Sequence, residues 1–95
     1  MAGISKTVIS LQPGKMDEVT KFIDAQSGSV TKLDGIIGFA VAVSGENEIT
    51  IIGLYKSSQN ARDASDTVQK IFSDMASFVT APPDRNVYSG VWFPA

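Results

Sequence analysis

Residues 37–55 read Ile37-Gly38-Phe39-Ala40-Val41-Ala42-Val43-Ser44-Gly45-Glu46-Asn47-Glu48-Ile49-Thr50-Ile51-Ile52-Gly53-Leu54-Tyr55. Two runs of β-branched and aromatic residues flank a Gly-Glu-Asn connection, which is the pattern of a β-hairpin. In the first run, Ile37 to Ser44, Phe39, Val41 and Val43 alternate with Gly38, Ala40 and Ala42. In the second, Glu48 to Tyr55, Ile49 and Ile51 stand opposite Thr50, Ile52 and Leu54. Each strand has a helical pattern on its outer side, and each helix has a further strand beyond it. The hydrophobic period therefore runs 2, 3.6, 2, 2, 3.6, 2, which predicts β-α-β-β-α-β.

Upstream, residues 4–12 form the first predicted strand. Thr7, Ile9 and Leu11 share one face, and Lys6, Val8 and Ser10 share the other. Pro13-Gly14 stops it. A helix is predicted from Lys15 to the Asp34-Gly35 stop, with Met16, Val19, Phe22, Ile23, Val30 and Leu33 on one stripe. Asp17 precedes Lys21 by four residues, the favourable order for an ion pair, and Gly28 marks a place where the helix frays or bends. Downstream, Ser57 or Ser58 is the expected N-cap of a second helix, running from Gln59 to Val79. Its stripe is Ala61, Ala64, Val68, Ile71, Phe72, Met75, Phe78 and Val79, and Pro82-Pro83 closes it. The last strand is predicted over Arg85–Phe93. Right-handed crossovers lead to one antiparallel four-stranded sheet, both helices on one face, with strands one and four expected in the middle. The expected class is α+β, a single ferredoxin-like domain over residues 1–95.

Composition excludes several chemistries. The chain has 95 residues, no cysteine, no histidine and a net charge of -2. A disulfide scaffold, a thiolate metal site and a cysteine nucleophile are ruled out. The commonest general base at neutral pH is missing too. No metal and no cofactor are expected. No basic run marks a nucleic-acid surface, and no apolar run approaches the ~20 residues of a membrane span. The expected setting is cytoplasmic.

A lone antiparallel sheet with helices on one side usually turns a polar face outward. The face expected under the helices carries Ile9, Leu11, Phe39, Val41, Val43, Ile49, Ile51, Val87, Val91 and Phe93. The opposite face carries Val8, Ala40, Ala42, Ile52, Leu54, Tyr88 and Trp92, which predicts an uncovered apolar patch. A second copy, packed sheet against sheet about a two-fold axis, is the simplest cover.

The chain resembles the dimeric α/β-barrel superfamily, in its antibiotic-biosynthesis-monooxygenase-like branch. The resemblance rests on Leu11-Gln12-Pro13-Gly14-Lys15-Met16 leading into the first helix and on Asp34-Gly35-Ile36-Ile37-Gly38-Phe39 entering the second strand. It rests also on Gly53-Leu54-Tyr55-Lys56-Ser57 passing into a helix that begins Ser58-Gln59-Asn60-Ala61. It implies a homodimer whose two sheets form a barrel, with a cleft between sheet and helices in each subunit. Some members oxidise aromatic polyketides or quinols with O₂ and no cofactor, and others cleave haem. The haem-degrading members bind iron through a histidine, which this chain lacks. The asparagine expected in strand one is missing, and the only tryptophan is Trp92 in the last predicted strand rather than on a helix. No catalytic residue is carried over.

The candidate ligand-binding residues are Gln26, a polar amide in the first helix's apolar stripe, and Tyr55 at the end of strand three, with Phe22, Phe39 and Met75 as walls. For Gln26 the favoured reading is a helix bent near Gly28 that sends its amide to backbone or solvent, with the ligand role as its rival. Tyr88, Trp92, Val8, Ile52 and Leu54 are the candidate dimer interface. Arg85 follows Pro82-Pro83-Asp84 and has two readings: it binds an anionic group of a ligand, or, the favoured one, it makes a surface ion pair with Asp84 or another acid. Asp63, Asp66 and Asp74 form a solvated helix face. The expected function is a small dimeric protein that binds a small apolar or aromatic molecule in the sheet–helix cleft. The alternative is a cofactor-independent monooxygenase acting on a small phenol, quinol or polyketide.

Overall fold

The computed structural model describes residues 1–95, in the order β1 (Ala2–Ser10), α1 (Met16–Val30), β2 (Ile36–Gly45), β3 (Glu48–Tyr55), α2 (Ser58–Asp63), α3 (Ser65–Ser73) and β4 (Asp84–Gly90). The four strands form one sheet in the order β2-β3-β1-β4, antiparallel throughout. This is the ferredoxin-like fold expected from the period order.

The central strands are β3 and β1, which corrects the expectation that strands one and four lie in the middle. A crossover between parallel strands leaves a gap one strand wide. Here β3 fills the gap between β1 and β2, and β1 fills the gap between β3 and β4. The β1–β3 ladder runs from Gly3↔Tyr55 to Ser10↔Glu48 and is the spine of the sheet.

Several boundaries move. β1 begins two residues earlier than predicted and ends at Ser10, while Leu11 forms an isolated bridge with Val79. Helix α1 runs unbroken through Gly28 and ends where Thr31 donates its backbone N–H and its hydroxyl to Ser27 O. The expected Asp17–Lys21 pair does not form; the chain's one ion pair is Lys15–Glu18. Ser57 is the N-cap of α2, accepting from the Asn60 N–H at 3.1 Å. The predicted second helix is in fact two helices, broken at Ala64, and it stops at Ser73 instead of Val79. The break lies where Arg85 donates to Ala61 O and to Ser65 Oγ, one residue on either side of the α2–α3 junction region.

The core is built on Ile9, Leu11, Val19, Ile49, Phe72 and Met75, flanked by Met16, Phe22, Ile23 and Val68. A second cluster holds Tyr55, Ala61 and Ala64 with Leu33, Ile36 and Val87. Two of the apolar residues expected under the helices are not covered: Val41 is 38% exposed and Val43 64%. Both lie on β2, an edge strand, and the helical cover fades beyond β3. Val91 and Phe93 also miss the helices, because β4 stops at Gly90 and leaves them exposed. No helix is long and apolar enough to cross a membrane.

Candidate functional site

The two core clusters share only Val68, and between them the helix-facing side of the sheet is built from small residues. Ser5 and Thr7 on β1 point inward on the same face as Ile9, and Ser5 pairs with Gly53 of β3. A serine, a threonine and a glycine, where the flanking positions carry isoleucines and a tyrosine, leave the floor of the sheet low. Glycine inside a strand often marks such a close approach. Here a Cβ on Gly53 would fall 2.5 Å from Ser5 Oγ and 3.0 Å from the Tyr55 ring.

The resulting slot opens between α1, α3 and the sheet, with about 590 Å³ of atom-free space including its mouth. Ten of its fifteen lining residues are hydrophobic, among them Ile23, Val30, Ile36, Phe39, Ile51 and Ile71. The other five are Ser5, Thr7, Gln26, Gly53 and Arg85, and Tyr55, one of the ten, adds a hydroxyl to the polar groups.

Four of the five candidate ligand-binding residues come together here. Gln26, Tyr55, Phe39 and Met75 all line the slot. Gln26 is half-buried on an unbroken helix, so the favoured bend near Gly28 is not what the backbone does. Phe22 is not in the lining; it packs into the core cluster around Ile9 and Val19. Tyr55 is 2% exposed, so it forms part of the floor and is not a wetted side chain at the mouth.

Ser5 and Thr7 line the slot without having been singled out by the sequence pattern, and of the two readings of Arg85 the surface ion pair is not what forms. Two hydroxyl residues on the strand face shared with Ile9 and Leu11 were the available signal. Arg85 is half-buried and pairs across β1 with Thr7. It makes no ion pair with Asp84, whose carboxylate accepts from Asn86. Its Nη1 donates to Ser65 Oγ at 2.9 Å and its Nη2 to Ala61 O at 2.8 Å. The guanidinium is thus held by two partners that leave its charge uncompensated. No group of His, Cys, Asp or Glu side chains is gathered to hold a metal ion.

On the opposite side of the sheet, Ile4 lies beside Leu54 and Tyr88, and Ile52 beside Ala40. Tyr88 is 52% exposed. Lys6 and Asn86 interrupt this face between Ile4 and Val8. Trp92 lies beyond the end of β4, so it does not share a strand face with Tyr88 as expected.

Fold and slot together define a ferredoxin-like α+β protein with a cleft between its sheet and its helices. Among solved structures, a protein of unknown function from Nitrosomonas europaea superposes with a TM-score of 0.80 at 12% identity, covering 99% of this chain and 95% of its own. A candidate antibiotic biosynthesis monooxygenase from the same organism gives 0.79 at 13% identity, with 96% and 91% covered. A mutant of SnoaB, a cofactor-independent oxygenase from Streptomyces nogalater, gives 0.77 at 7% identity, with 97% and 95% covered. At these identities the likeness is one of fold. No protein-family model matches the chain, and no curated protein is similar to it in sequence.

Proposed function

We propose that this protein binds a small, planar, largely apolar organic molecule in the slot between sheet and helices, and does so as a homodimer. The observation that carries the reading is the slot itself: a mostly hydrophobic wall around a few converging polar groups. Burial of a bicyclic aromatic against Ile23, Phe39, Ile51 and Ile71 supplies affinity at about 25 cal/mol per Å² of apolar surface. Gln26 and Tyr55 orient the molecule, and Phe39 and Met75 form its walls.

The dimer half of the proposal rests on the uncovered outer face, with Ile4, Ile52, Leu54 and Tyr88 at its apolar centre and Val8 beyond Lys6. A stable pair needs about 800 Å² buried per partner, a large share of such a face. The test is light scattering, which should return twice the 10.1 kDa chain mass. The ligand half is tested by isothermal titration with 2-naphthamide. One molecule should bind per chain, and Ile71→Trp, which plugs the slot, should abolish it. Binding that persists in the plugged variant overturns the reading.

A second reading is favoured by the SnoaB likeness together with the slot: cofactor-free oxidation of a phenolic substrate by O₂. In that chemistry the deprotonated substrate supplies the electrons, and the protein desolvates and positions it. The slot holds no carboxylate or imidazole to remove the proton, which makes binding without catalysis the better-supported reading. Oxygen uptake with a naphthalene-sized quinol, above the rate without protein and lost in Ile71→Trp, would reverse that order.

A further inference from the structure

The polar part of the slot is one-sided. Its side chains are three hydroxyls, from Ser5, Thr7 and Tyr55, one amide from Gln26 and one guanidinium from Arg85. No acidic residue lines it. Ser5 is 5% exposed, Thr7 2% and Tyr55 2%. Their hydroxyls and the Gln26 amide take no part in the chain's side-chain hydrogen bonds, which are made elsewhere. Yet no side-chain nitrogen or oxygen is both sealed from solvent and unpaired. These groups therefore open onto the slot.

Arg85 adds the charge. Two of its N–H groups are taken by Ser65 Oγ and Ala61 O. A guanidinium carries five, so three remain. No carboxylate comes within 4.0 Å of it, and the single ion pair of the chain is elsewhere. A partly buried cation without a counter-ion is costly, because burial removes solvation that nothing replaces. The two neutral acceptors fix the plane of the fork without cancelling its charge. The slot it lines also carries three hydroxyls, each able to donate, among them that of Thr7, its partner in the β1–β4 register, in an apolar surround where a charge-assisted hydrogen bond is stronger than in water. The chain as a whole is acidic, so the cationic character is local to this cleft.

From this arrangement we infer that the slot recognises an anion: a planar aromatic carboxylate, with its ring between Phe39, Ile51 and Ile71 and its carboxylate on Arg85 and the β1 hydroxyls. The inference rests on the proposed slot-binding reading and names the ligand's chemical class. Arg85 is a specificity residue under it, with Ser5 and Thr7 completing the oxygen site.

The test is titration of the full chain with three probes of one shape: 2-naphthoate, 2-naphthamide and 2-naphthylmethylammonium. The carboxylate should bind about ten- to a hundredfold more tightly than the amide, and the cation more weakly than either. In Arg85→Met the advantage of the carboxylate over the amide should be lost. Arg85→Lys keeps the charge but loses the fork, and should retain part of the preference. The wild-type comparison stands even if Arg85→Met fails to fold, since it needs no variant. Equal binding of carboxylate and amide by the wild type overturns the anion inference and leaves slot binding intact. A preference that survives in folded Arg85→Met overturns Arg85's part in it. Binding of none of the three overturns both readings.

Discussion

Gly3→Ala tests the packing that joins the sheet to α2. Gly3 is paired on both sides, with Tyr55 of β3 and Ser89 of β4, so β1 cannot move sideways there. A Cβ at this position would overlap Ser57 O and sit 2.6 Å from Ser57 C and 2.7 Å from Ser58 Cα. These are backbone atoms of the N-cap and first turn of α2, which no rotamer change removes. Relief needs a shift of at least about 0.8 Å to bring Ser57 C from 2.6 Å to an ordinary contact of 3.4 Å, and more for Ser57 O, which is nearer still. Overpacking of this kind costs about 1–3 kcal/mol, and rigid atoms on both sides place the expected loss near the upper end. For a domain of this size, about 3 kcal/mol is a Tm fall of roughly 12–24 °C. Gly28→Ala is the control. It lies inside α1 with nothing within 4 Å of the added methyl, so it should stabilise by about 0.5–1 kcal/mol. Thermal melts followed by circular dichroism, at one fixed protein concentration because association raises Tm, measure both. If Gly3→Ala melts within about 0.5 kcal/mol of the wild type, the close approach of β1 to Ser57 is wrong, and with it the seating of α2.

Other substitutions probe separate parts of the account. Met75 is fully buried, touching both the core and the slot, so Met75→Ala should cost about 2–5 kcal/mol in denaturant unfolding and enlarge the slot. Ser57→Ala removes the hydroxyl that caps α2 and should cost about 1 kcal/mol in the same assay. Ile52→Asp puts a charge in the outer face beside Ala40 and Lys6, and under the dimer proposal should give a 10.1 kDa particle by light scattering with a near-native circular dichroism spectrum. Gly53→Ala places a methyl against Ser5 Oγ on the slot floor and should weaken binding of 2-naphthamide while leaving the outer face untouched.

The fold was legible because each element carries its own period and its own stop. The 37–55 hairpin, Pro13-Gly14 and the Ser57 cap all appear where the residues place them, and β3 matches its predicted bounds. Strand order is not legible in the sequence, because periodicity orders elements along the chain, whereas neighbours in the sheet follow from how two crossovers interlock. The second helix was read as continuous because its apolar stripe passes through Ala64 without interruption. At the break Arg85, twenty residues away from Ser65, donates to Ser65 Oγ and Ala61 O, and no local pattern encodes that contact. The last strand is shorter than its alternation suggests, because Val91, Trp92 and Phe93 continue the pattern after the ladder to β1 has ended at Ala2↔Gly90. At the site, Gln26, Tyr55, Phe39 and Met75 were readable as residues out of keeping with, or placed along, an apolar face. Ser5, Thr7 and Gly53 were not, because what they contribute is a lack of volume. That becomes visible only when β1 and β3 are aligned side by side.

The most direct measurement is a methyl NMR titration of the isoleucine side chains with 2-naphthoate. Ile23, Ile36, Ile51 and Ile71 line the slot, whereas Ile4 and Ile52 lie on the far face of the sheet. Saturable shifts at the first four, with Ile4 and Ile52 unmoved, are the predicted result. Shifts confined to Ile4 and Ile52, or none at millimolar ligand, would contradict a binding slot between sheet and helices.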